Sequence, residues 1–388
     1  MKKIFAAAVA VVLLASCQES ILYKAGLDKA GVVTIQSSAT KEIGCFLEGD
    51  GPATLTFESS KKVSSDVEVN FEFDATEEAV QEYNRKYGTN YQLLPEENYD
   101  PESFYAVIPA GSAVSEPVSV EITVDGLGIS SGIIYCLPVK LTGTNSSITT
   151  IPGEQYAYIV VRGYVYASAA ALSGSGSYFD MPSTVSAPAL ELKQCTMEMR
   201  VKVNRWQSSN PYISSLIGVE ENFLMRFGDI SCDPNQLQLA GQGVSLTSKA
   251  HFELNKWYHV AVVADGVKQN CKMYINGELD SDQSMGAKGI NLGQVYNSIF
   301  AIGMSEKGRY LNGYVSEARI WNRCLSQTEL INGQCSIANP RKEAAENGLL
   351  GYWKLDAVNK GKDLSGNGYD GGAHNVSYTE ANIRCPED

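Results

Sequence analysis

The sequence predicts an all-β protein built from two β-sandwich domains in tandem. Short runs of alternating apolar and polar residues recur along the chain, which is the pattern of strands buried on one side. The 388 residues include 35 Gly, 13 Pro and 21 Tyr, a composition typical of turn-rich β structure, and the length suits two or three domains. Only one segment has the clear period of a helix, so helices should contribute little to the fold.

Residues 1–17 have the features of an export signal. Lys2 and Lys3 precede an apolar run at 4–14 that is too short to cross a bilayer as a mature helix, and Leu-Ala-Ser-Cys follows. This word resembles a bacterial lipobox, which implies cleavage before Cys17 and acylation of that cysteine; the alternative is an ordinary secretory signal with a chance cysteine. Several acyl chains would anchor the protein firmly, at ~0.8 kcal/mol per buried CH₂. We therefore expect a membrane partner, reached through lipid on Cys17.

The charge balance excludes one large class of partners. The chain has 31 basic and 44 acidic residues and a net charge of −13, whereas binding to nucleic acid requires a basic patch. After the signal, no segment approaches the roughly 20 continuous apolar residues of a membrane helix. The expectation is a soluble, tethered protein that does not bind nucleic acid.

The first domain is predicted at 21–165. Helical spacing begins at Thr76, a candidate N-cap, and ends at Gly88. Strand patterns surround this helix, and together they predict an immunoglobulin-like β-sandwich with a helical insertion. The predicted strands are 32–35, 54–58, 67–73, 118–124, 133–141 and 156–166.

This domain resembles the N-terminal domain, of unassigned function, of many Bacteroidetes surface lipoproteins from glycan-utilisation loci. The resemblance is carried by two segments, E-E-A-V-Q-E-Y-N-R-K-Y-G-T-N-Y-Q-L-L-P and Y-A-V-I-P-A-G. In that family the domain often precedes carbohydrate-binding modules or glycosidases, including endo-β-N-acetylglucosaminidases, so we interpret it as a spacer. Its tyrosines could form a sugar-stacking surface, but packing of the helix onto the sandwich is favoured because tyrosine buries a large apolar area. These tyrosines are Tyr83, Tyr87, Tyr91 and Tyr99.

The second domain is predicted at 178–388, after a small-residue linker at 166–177. Short strands with turn signals between them indicate a two-sheet sandwich, and Asn276-Gly277 suits a tight hairpin turn. Ser326 and Glu329 have the spacing of a helix capping box. The predicted strands are 195–203, 216–219, 223–227, 236–240, 257–264, 272–275, 298–302, 314–321 and 349–355.

Three motifs of this domain resemble the laminin-G-like, concanavalin A-like family. They are W-Y-H-V-A-V-V, Y-I-N-G-E-L and G-Y-V-S-E-A-R-I-W-N. The resemblance implies a jelly-roll sandwich. It does not specify a ligand, because that family includes carbohydrate-binding modules, adhesion domains and some enzymes, and function depends on the site.

A sugar-binding site requires an exposed aromatic ring with planar hydrogen-bonding side chains beside it. Trp206 lies at a strand end in a polar loop where exposure is expected, while the other tryptophans fall inside strand motifs. An ordinary polar loop is the alternative interpretation. The glycan-binding candidates are Trp206, Gln207, Asn210, Tyr212, Arg226, Asp229, Gln236 and Gln238.

One segment resembles part of a calcium loop. Asp363, Ser365, Asn367 and Asp370 place oxygen side chains among glycines, as the first half of such a loop does. The position that would need glutamate in an EF-hand is His374. A turn without metal is therefore favoured, and calcium is the only cofactor considered.

Catalytic patterns are absent. The G-x-S-x-G word at 128–132 lies between two strand-like runs and not between a strand and a helix, and the histidines form no H-E-x-x-H. The sequence motifs that carry the catalytic carboxylates of jelly-roll glucanases and chitinase-like endoglycosidases do not occur. Of nine cysteines, eight remain after acylation without a disulfide framework; buried thiols are favoured, and Cys45 with Cys136 is the first pair to test.

Together these features predict a non-catalytic glycan-binding lipoprotein. The resemblance to the Bacteroidetes surface lipoproteins implies a role in a glycan-utilisation system, an anchor in the outer membrane and exposure at the cell surface. The expected ligand is an oligo- or polysaccharide, with host N-glycans among the candidates, bound by the jelly roll. Glycan transporters and glycosidases are the expected neighbours. The alternative is a structural or protein-interaction envelope lipoprotein, and a glycoside hydrolase is less favoured.

Overall fold

The structure is a computed structural model that describes residues 31–38, 40–181, 191–241, 243–286, 289–293, 299–306, 308–380 and 382–386. The predicted signal and Cys17 lie outside these residues. The chain divides into two units, Met1–Tyr164 and Val165–Asp388. In the described ranges, none of the helices has the length and apolar character needed to cross a membrane.

The first unit is a β-sandwich with one helical insertion, as predicted. Its strands and helix, in chain order, are β1 Val32–Ile35, β2 Glu42–Leu47, β3 Gly51–Leu55, β4 Phe57–Ser59, β5 Val67–Phe73, α1 Glu77–Tyr87, β6 Gln92–Leu93, β7 Tyr99–Pro101, β8 Tyr105–Ile108, β9 Val118–Ile122, β10 Tyr135–Thr144, β11 Thr149–Thr150 and β12 Tyr156–Gly163. Short 3₁₀ turns form at Glu96–Asn98 and Ile129–Ser131.

Three sheets surround one apolar core in this unit, with the strand orders β2-β12-β10-β5-β8, β11-β1-β4 and β3-β9-β7. Strand β5 shows why the alternation predicted it correctly. Val67, Val69 and Phe71 enter the core, whereas the intervening polar residues are partly exposed. The predicted strand 54–58 is two strands, because β3 pairs with β9 and β4 pairs with β1, so the chain changes sheet at Thr56.

Helix α1 begins and ends where its sequence predicts. The Thr76 side chain accepts a hydrogen bond from the Ala79 amide, and Gly88 closes the helix in the left-handed conformation. The hydroxyls of Tyr83 and Tyr91 donate to Oε1 of Glu42 at 2.8 and 2.7 Å, and both rings are buried. This confirms that these tyrosines pack the helix onto the sandwich.

The second unit is a larger sandwich. Its elements are β13 Val165–Ala167, β14 Ala170–Ser173, β15 Tyr178–Asp180, β16 Glu191–Leu192, β17 Gln194–Arg205, β18 Ser214–Val219, β19 Phe223–Asp229, β20 Cys232–Gly241, β21 Val244–Thr247, β22 Trp257–Asp265, β23 Asn270–Ile275, β24 Glu278–Ser284, β25 Ile290–Asn291, β26 Ala301–Ile302, β27 Asn312–Trp321, α2 Gln327–Gly333, α3 Pro340–Glu346, β28 Leu349–Lys354, β29 Gly372–His374, β30 Ser377–Tyr378 and β31 Ile383–Cys385.

Two sheets enclose the core of this unit. The eight-stranded sheet has the order β24-β23-β22-β17-β27-β14-β30, with β28 beside β27, and the seven-stranded sheet has the order β21-β20-β19-β18-β26-β15-β29. Met197, Val260 and Val315 from the first sheet and Phe227 and Leu237 from the second belong to one buried cluster. This is the predicted two-sheet architecture, in which each sheet buries one face against the other.

The local turn predictions also hold. Asn276 and Gly277 have φ values of 51° and 79°, the left-handed values that a two-residue hairpin between β23 and β24 requires. At the start of α2, Ser326 and Glu329 form the expected reciprocal capping box.

The segment expected to be a linker, 166–177, contains strands of the second unit. Strand β13 pairs with β31, and β14 pairs with both β27 and β30. Its alanine and serine side chains are small enough for a strand to lie close to its neighbours, so small-residue content does not indicate a flexible linker here.

The cysteine pairing proposed for testing, Cys45 with Cys136, is wrong. Both thiols are free and buried, and the disulfide joins Cys335 to Cys385. Cys45 and Cys136 pair with adjacent residues of β12, Val161 and Val160. Because adjacent strand residues point to opposite faces of a sheet, the two thiols cannot meet. Burial raises the pKa of Cys45 to about 11, so this thiol stays protonated.

Candidate functional site

The candidate site lies on the outer face of the seven-stranded sheet, the face opposite the core. Along β19, Met225 and Phe227 enter the core, so Arg226 between them projects to the outer face. On β20, Gln238 pairs with Arg226 and lies between the core residues Leu237 and Leu239. The alternation of the two strands thus brings a guanidinium and an amide together on this face.

Arg226 is held by three acceptors. Its Nε donates to Oε1 of Gln238 at 3.0 Å, and its Nη2 donates to Oδ2 of Asp229 at 2.7 Å. Its Nη1 lies 3.6 Å from Oε1 of Glu220. Each guanidinium nitrogen therefore faces a polar partner, and the side chain is fixed across the strands.

A second arginine completes this group. Nη1 of Arg309 donates to Oε1 of Glu220 at 2.6 Å, and its Nη2 lies 3.5 Å from Oε2 of Glu306. Glu220 is only 5% exposed, and its Oε2 has no hydrogen-bond partner among the described residues. We call Glu220, Arg226, Asp229, Glu306 and Arg309 the arginine cluster.

Aromatic rings flank the arginine cluster. Tyr178 on β15 pairs with His374 on β29, and their rings stack with centroids 4.3 Å apart at 12°. The ring centroid of Tyr310 lies 6.3 Å from that of Tyr178. Burial, followed by the charges of Asp180 and Tyr310, raises the pKa of Tyr178. We call Tyr178, Tyr310 and His374 the aromatic edge. The sequence analysis did not predict that these residues meet, since they come from three distant segments.

Backbone contacts connect the aromatic edge to the arginine cluster. Ser215 pairs with Arg226 across β18 and β19, and its amide donates to the carbonyl of Arg309 at 3.2 Å. Tyr310 follows Arg309 in the chain, and its carbonyl accepts a hydrogen bond from Nε2 of Gln207 at 3.0 Å. The segment Arg309–Tyr310 therefore contributes one residue to each group of side chains.

The structure unites only part of the predicted glycan site. Arg226 and Asp229 meet in the arginine cluster, Gln238 accepts a hydrogen bond from Arg226, and Gln207 donates to the carbonyl of Tyr310 at the aromatic edge. Gln236 instead donates to the carbonyl of Ser248 at 2.8 Å, a contact that fixes the neighbouring strand segment.

The loop that carries the remaining candidates is ordered by the core. Trp206 is only partly exposed, because its ring packs edge-on against Phe227 at 5.0 Å and joins the apolar cluster. Asn210 is exposed and Tyr212 is 38% exposed. The free-standing indole that the prediction required is thus not present, and Tyr212 is the exposed aromatic residue of this loop.

The calcium-loop candidates form a turn whose carboxylates already accept hydrogen bonds. Oδ1 of Asp363 accepts from the amides of Tyr352 and Ser365, and its Oδ2 accepts from the Ser365 hydroxyl and the Tyr369 amide. Asp370 accepts from the Asp363 amide. The two oxygens of Asp363 thus accept four hydrogen bonds from N–H and O–H donors, and a bound cation would compete with these donors for the lone pairs.

The side chain of Asn367 is positioned through its nitrogen, Nδ2. Its amide nitrogen donates to the carbonyls of Leu349 and Leu350. Among the described residues, no cluster of three or more histidine, cysteine or acidic side chains could hold a metal.

A buried charge network lies on the other side of the second unit. The Glu198 carboxylate contacts His259 Nε2 and Trp321 Nε1, both at 2.8 Å, and lies 3.4 Å from Arg319. Arg319 and Tyr352 both donate to Oε2 of Glu317. These groups are almost completely buried, so their carboxylates are not accessible to a substrate.

The G-x-S-x-G word is not a nucleophile elbow. Ser130 lies in the 3₁₀ turn Ile129–Ser131, which connects β9 to β10 and not a strand to a helix. The three histidines have different partners in separate places: His251 contacts Asn235, His259 contacts Glu198, and His374 stacks on Tyr178.

Comparisons with known families agree with the two-domain interpretation. Residues 173–331 match the concanavalin A-like lectin/glucanases superfamily, and residues 23–148 match a family described as an N-terminal domain. Residues 1–18 match the prokaryotic membrane lipoprotein lipid attachment site, which includes Cys17. These matches confirm the resemblances read from the sequence. No curated protein matches the chain.

The chain is similar to several solved structures. One is a candidate carbohydrate-binding protein from Bacteroides ovatus ATCC 8483, with 23% identity, a TM-score of 0.54, and coverage of 91% of this chain and 99% of that one. Another is the CBM40 of a Ruminococcus gnavus IT-sialidase bound to α2,3-sialyllactose, with 18% identity, a TM-score of 0.33, and coverage of 43% and 96%. At these identities the first likeness establishes shared fold only.

Proposed function

We propose that this protein is a non-catalytic, lipid-anchored glycan-binding protein whose ligand lies on the outer face of the seven-stranded sheet. The observation that carries the proposal is the presence of the arginine cluster and the aromatic edge on one sheet, joined by the adjacent residues Arg309 and Tyr310. Sugars present hydroxyls that need donors and acceptors, and they present C–H faces that pack on aromatic rings. This face of the sheet supplies both kinds of group.

The comparisons support the same function without specifying it. The second unit matches a superfamily whose description includes lectins, and the full-length structural neighbour is itself named as a candidate carbohydrate-binding protein. Calcium has no part in the proposal, because the oxygens of Asp363 already accept four hydrogen bonds.

The cellular role follows from the attachment signal. Lipid on Cys17 would hold the protein at a membrane, which we propose is the outer membrane with the protein facing outward, and the first unit would act as a spacer. Weak sites suffice in that setting, because a Kd near 1 mM corresponds to only ~4.1 kcal/mol and tethering raises the effective concentration. Retained glycan, with host N-glycans among the candidates, would then reach neighbouring transporters and glycosidases.

The test is retention of the purified protein, residues 18–388, on an array of host N-glycans, mucin glycans and plant and microbial polysaccharides, with calcium and with chelator. Tyr178→Ala and Tyr310→Ala should each weaken retention by about twofold to tenfold, from ~0.5–1.5 kcal/mol per ring contact. Tyr105→Ala is the matched control, because Tyr105 is 48% exposed on the first unit. Trp206→Ala removes the packing of its ring on Phe227, so a loss of retention in this variant would combine lost packing with lost binding.

Retention that survives both site variants would refute the proposed surface while leaving a lectin elsewhere on the chain. No retention on any glycan would favour the protein-interaction alternative, for which a pull-down partner is the expected result. Release of soluble sugar products from a retained glycan would establish an enzyme and refute the non-catalytic reading.

A further inference from the structure

We infer that the outer-face site takes uncharged glycans and discriminates against sialylated, uronic and sulfated ones. The inference rests on the proposed function and adds the chemical class of its ligand. It follows from the pairing of the charged groups of the arginine cluster with one another.

Arg226 has no free edge for a ligand carboxylate. Recognition of a carboxylate by arginine normally uses two parallel N–H groups. In this structure Nε and Nη2 donate to Gln238 and Asp229, and Nη1 faces Glu220. The side chain therefore serves as a support for neighbouring acceptors and is not available as an anion clamp.

The net charge of the arginine cluster is also unfavourable for an anion. Arg226 and Arg309 face three carboxylates, those of Glu220, Asp229 and Glu306, which leaves one negative charge in excess. A ligand carboxylate or sulfate would approach this excess at short range, and like charges that meet at an interface are a strong element of discrimination.

Glu220 contributes a buried negative charge that disfavours an anion beside the site. Its Oε1 contacts both arginines, whereas its buried Oε2 has no hydrogen-bond partner among the described residues. An ionised carboxylate only accepts hydrogen bonds, and a buried acceptor without a donor is costly. At this depth a water molecule is the donor that can satisfy it, whereas an anionic ligand group beside the arginine cluster would add repulsion to this carboxylate.

The aromatic edge is consistent with the same ligand class. The stacked pair Tyr178 and His374 offers an apolar platform for the C–H face of a sugar ring, which needs no charge on the ligand. Oδ2 of Asp180 lies 3.2 Å from Nε2 of His374, so a carboxylate is present on this side as well.

The experiment uses the purified full chain and an array that carries each glycan in matched forms. N-glycans and mucin glycans are presented with sialic acid and after its removal, and homogalacturonan is presented as methyl ester and as free acid. We expect retention on the uncharged members, weaker by about fivefold or more on their anionic partners, from ~1 kcal/mol per pair of like charges at 4 Å in water.

The outcomes separate the two levels of the proposal. Equal or stronger retention on the anionic partners overturns this inference and leaves glycan binding intact. Absence of retention on every member overturns the proposed function itself.

Two variants test the cause. Glu220→Gln should reduce the neutral-to-anionic ratio toward one, whereas Glu221→Gln, which removes the same charge from the exposed adjacent residue, should leave the ratio unchanged. Tryptophan fluorescence during urea denaturation checks that both variants fold. If Glu220→Gln does not fold, Glu306→Gln replaces it, because that side chain is 61% exposed. An unchanged ratio in a folded variant overturns the role assigned to the arginine cluster.

Discussion

The buried charge network makes the stability of the second unit depend on one arginine. Arg319 is buried, its Nη2 donates to Glu317 at 2.6 Å, and its Nη1 lies 3.4 Å from Glu198. Arg319→Met keeps a similar volume but leaves two buried carboxylates without their cation. Breaking a buried ion pair from one side costs about 3–5 kcal/mol, because the remaining charge keeps its desolvation penalty. We expect a loss of this size in the free energy of unfolding.

The assay is urea denaturation followed by tryptophan fluorescence. All four tryptophans, Trp206, Trp257, Trp321 and Trp353, belong to the second unit, so the signal reports that unit alone.

Lys342→Met is the control variant, because Lys342 lies 4.0 Å from Glu346 in an exposed pair and such pairs contribute ~0–1 kcal/mol. A loss for Arg319→Met no larger than that of the control would refute the reasoning.

Acid provides a second readout of the same network. Burial alone raises the pKa of Glu198, but Arg319, His259 and Trp321 outweigh it and lower this pKa from its ordinary value of 4.5 to about 2. A carboxylate with a lowered folded-state pKa stabilises the protein above its unfolded pKa, and the stabilisation is lost as pH falls. The loss should run from about pH 4.5 to pH 2 and reach about 3 kcal/mol. In Arg319→Met, which lacks the cation, the folded-state pKa of Glu198 lies closer to its ordinary value, so the loss on acidification should be smaller.

Three further predictions concern local structure. Cys385→Ser removes the disulfide to Cys335, which closes a loop with a sequence separation of 50. Urea denaturation should show a loss of ~4 kcal/mol in the free energy of unfolding, and reductant should cause the same loss in the unmodified protein. No effect of the substitution or of reductant would contradict this prediction. Ser326→Ala removes the capping box of α2 and should lower the free energy of unfolding by ~1 kcal/mol. Asp363→Asn removes a carboxylate that accepts four hydrogen bonds and should lower the free energy of unfolding by ~1–3 kcal/mol. Calcium or chelator should not change the urea midpoint of the unmodified protein. A calcium-dependent midpoint would show that the turn holds metal.

Much of the fold could be predicted because its signals are local. The alternation V-E-V-N-F-E-F gives β5 at Val67–Phe73, since neighbouring strand residues point to opposite faces. Asn276-Gly277 gives the hairpin turn, and Thr76 and Gly88 give the ends of α1, because each of these depends on the conformational preferences of a few adjacent residues.

The candidate site could be predicted only in part. Alternation indicates that Arg226 and Gln238 leave the core side of their strands, but it does not say which strands are neighbours. Trp206 is polar-flanked in sequence, yet its ring packs on Phe227, because the end of β17 lies beside the core of the opposite sheet.

By itself the sequence determined the β class, the helix and turn positions, the lipobox at Cys17 and the relation to the concanavalin A-like superfamily. Only the tertiary structure decided which distant side chains meet: Tyr178 with His374, Arg309 with Glu220, and Cys335 with Cys385. The reason is physical. Strand and turn preferences arise from interactions within a few residues, whereas the order and register of strands arise from burial of the whole core, and the site is a product of that order.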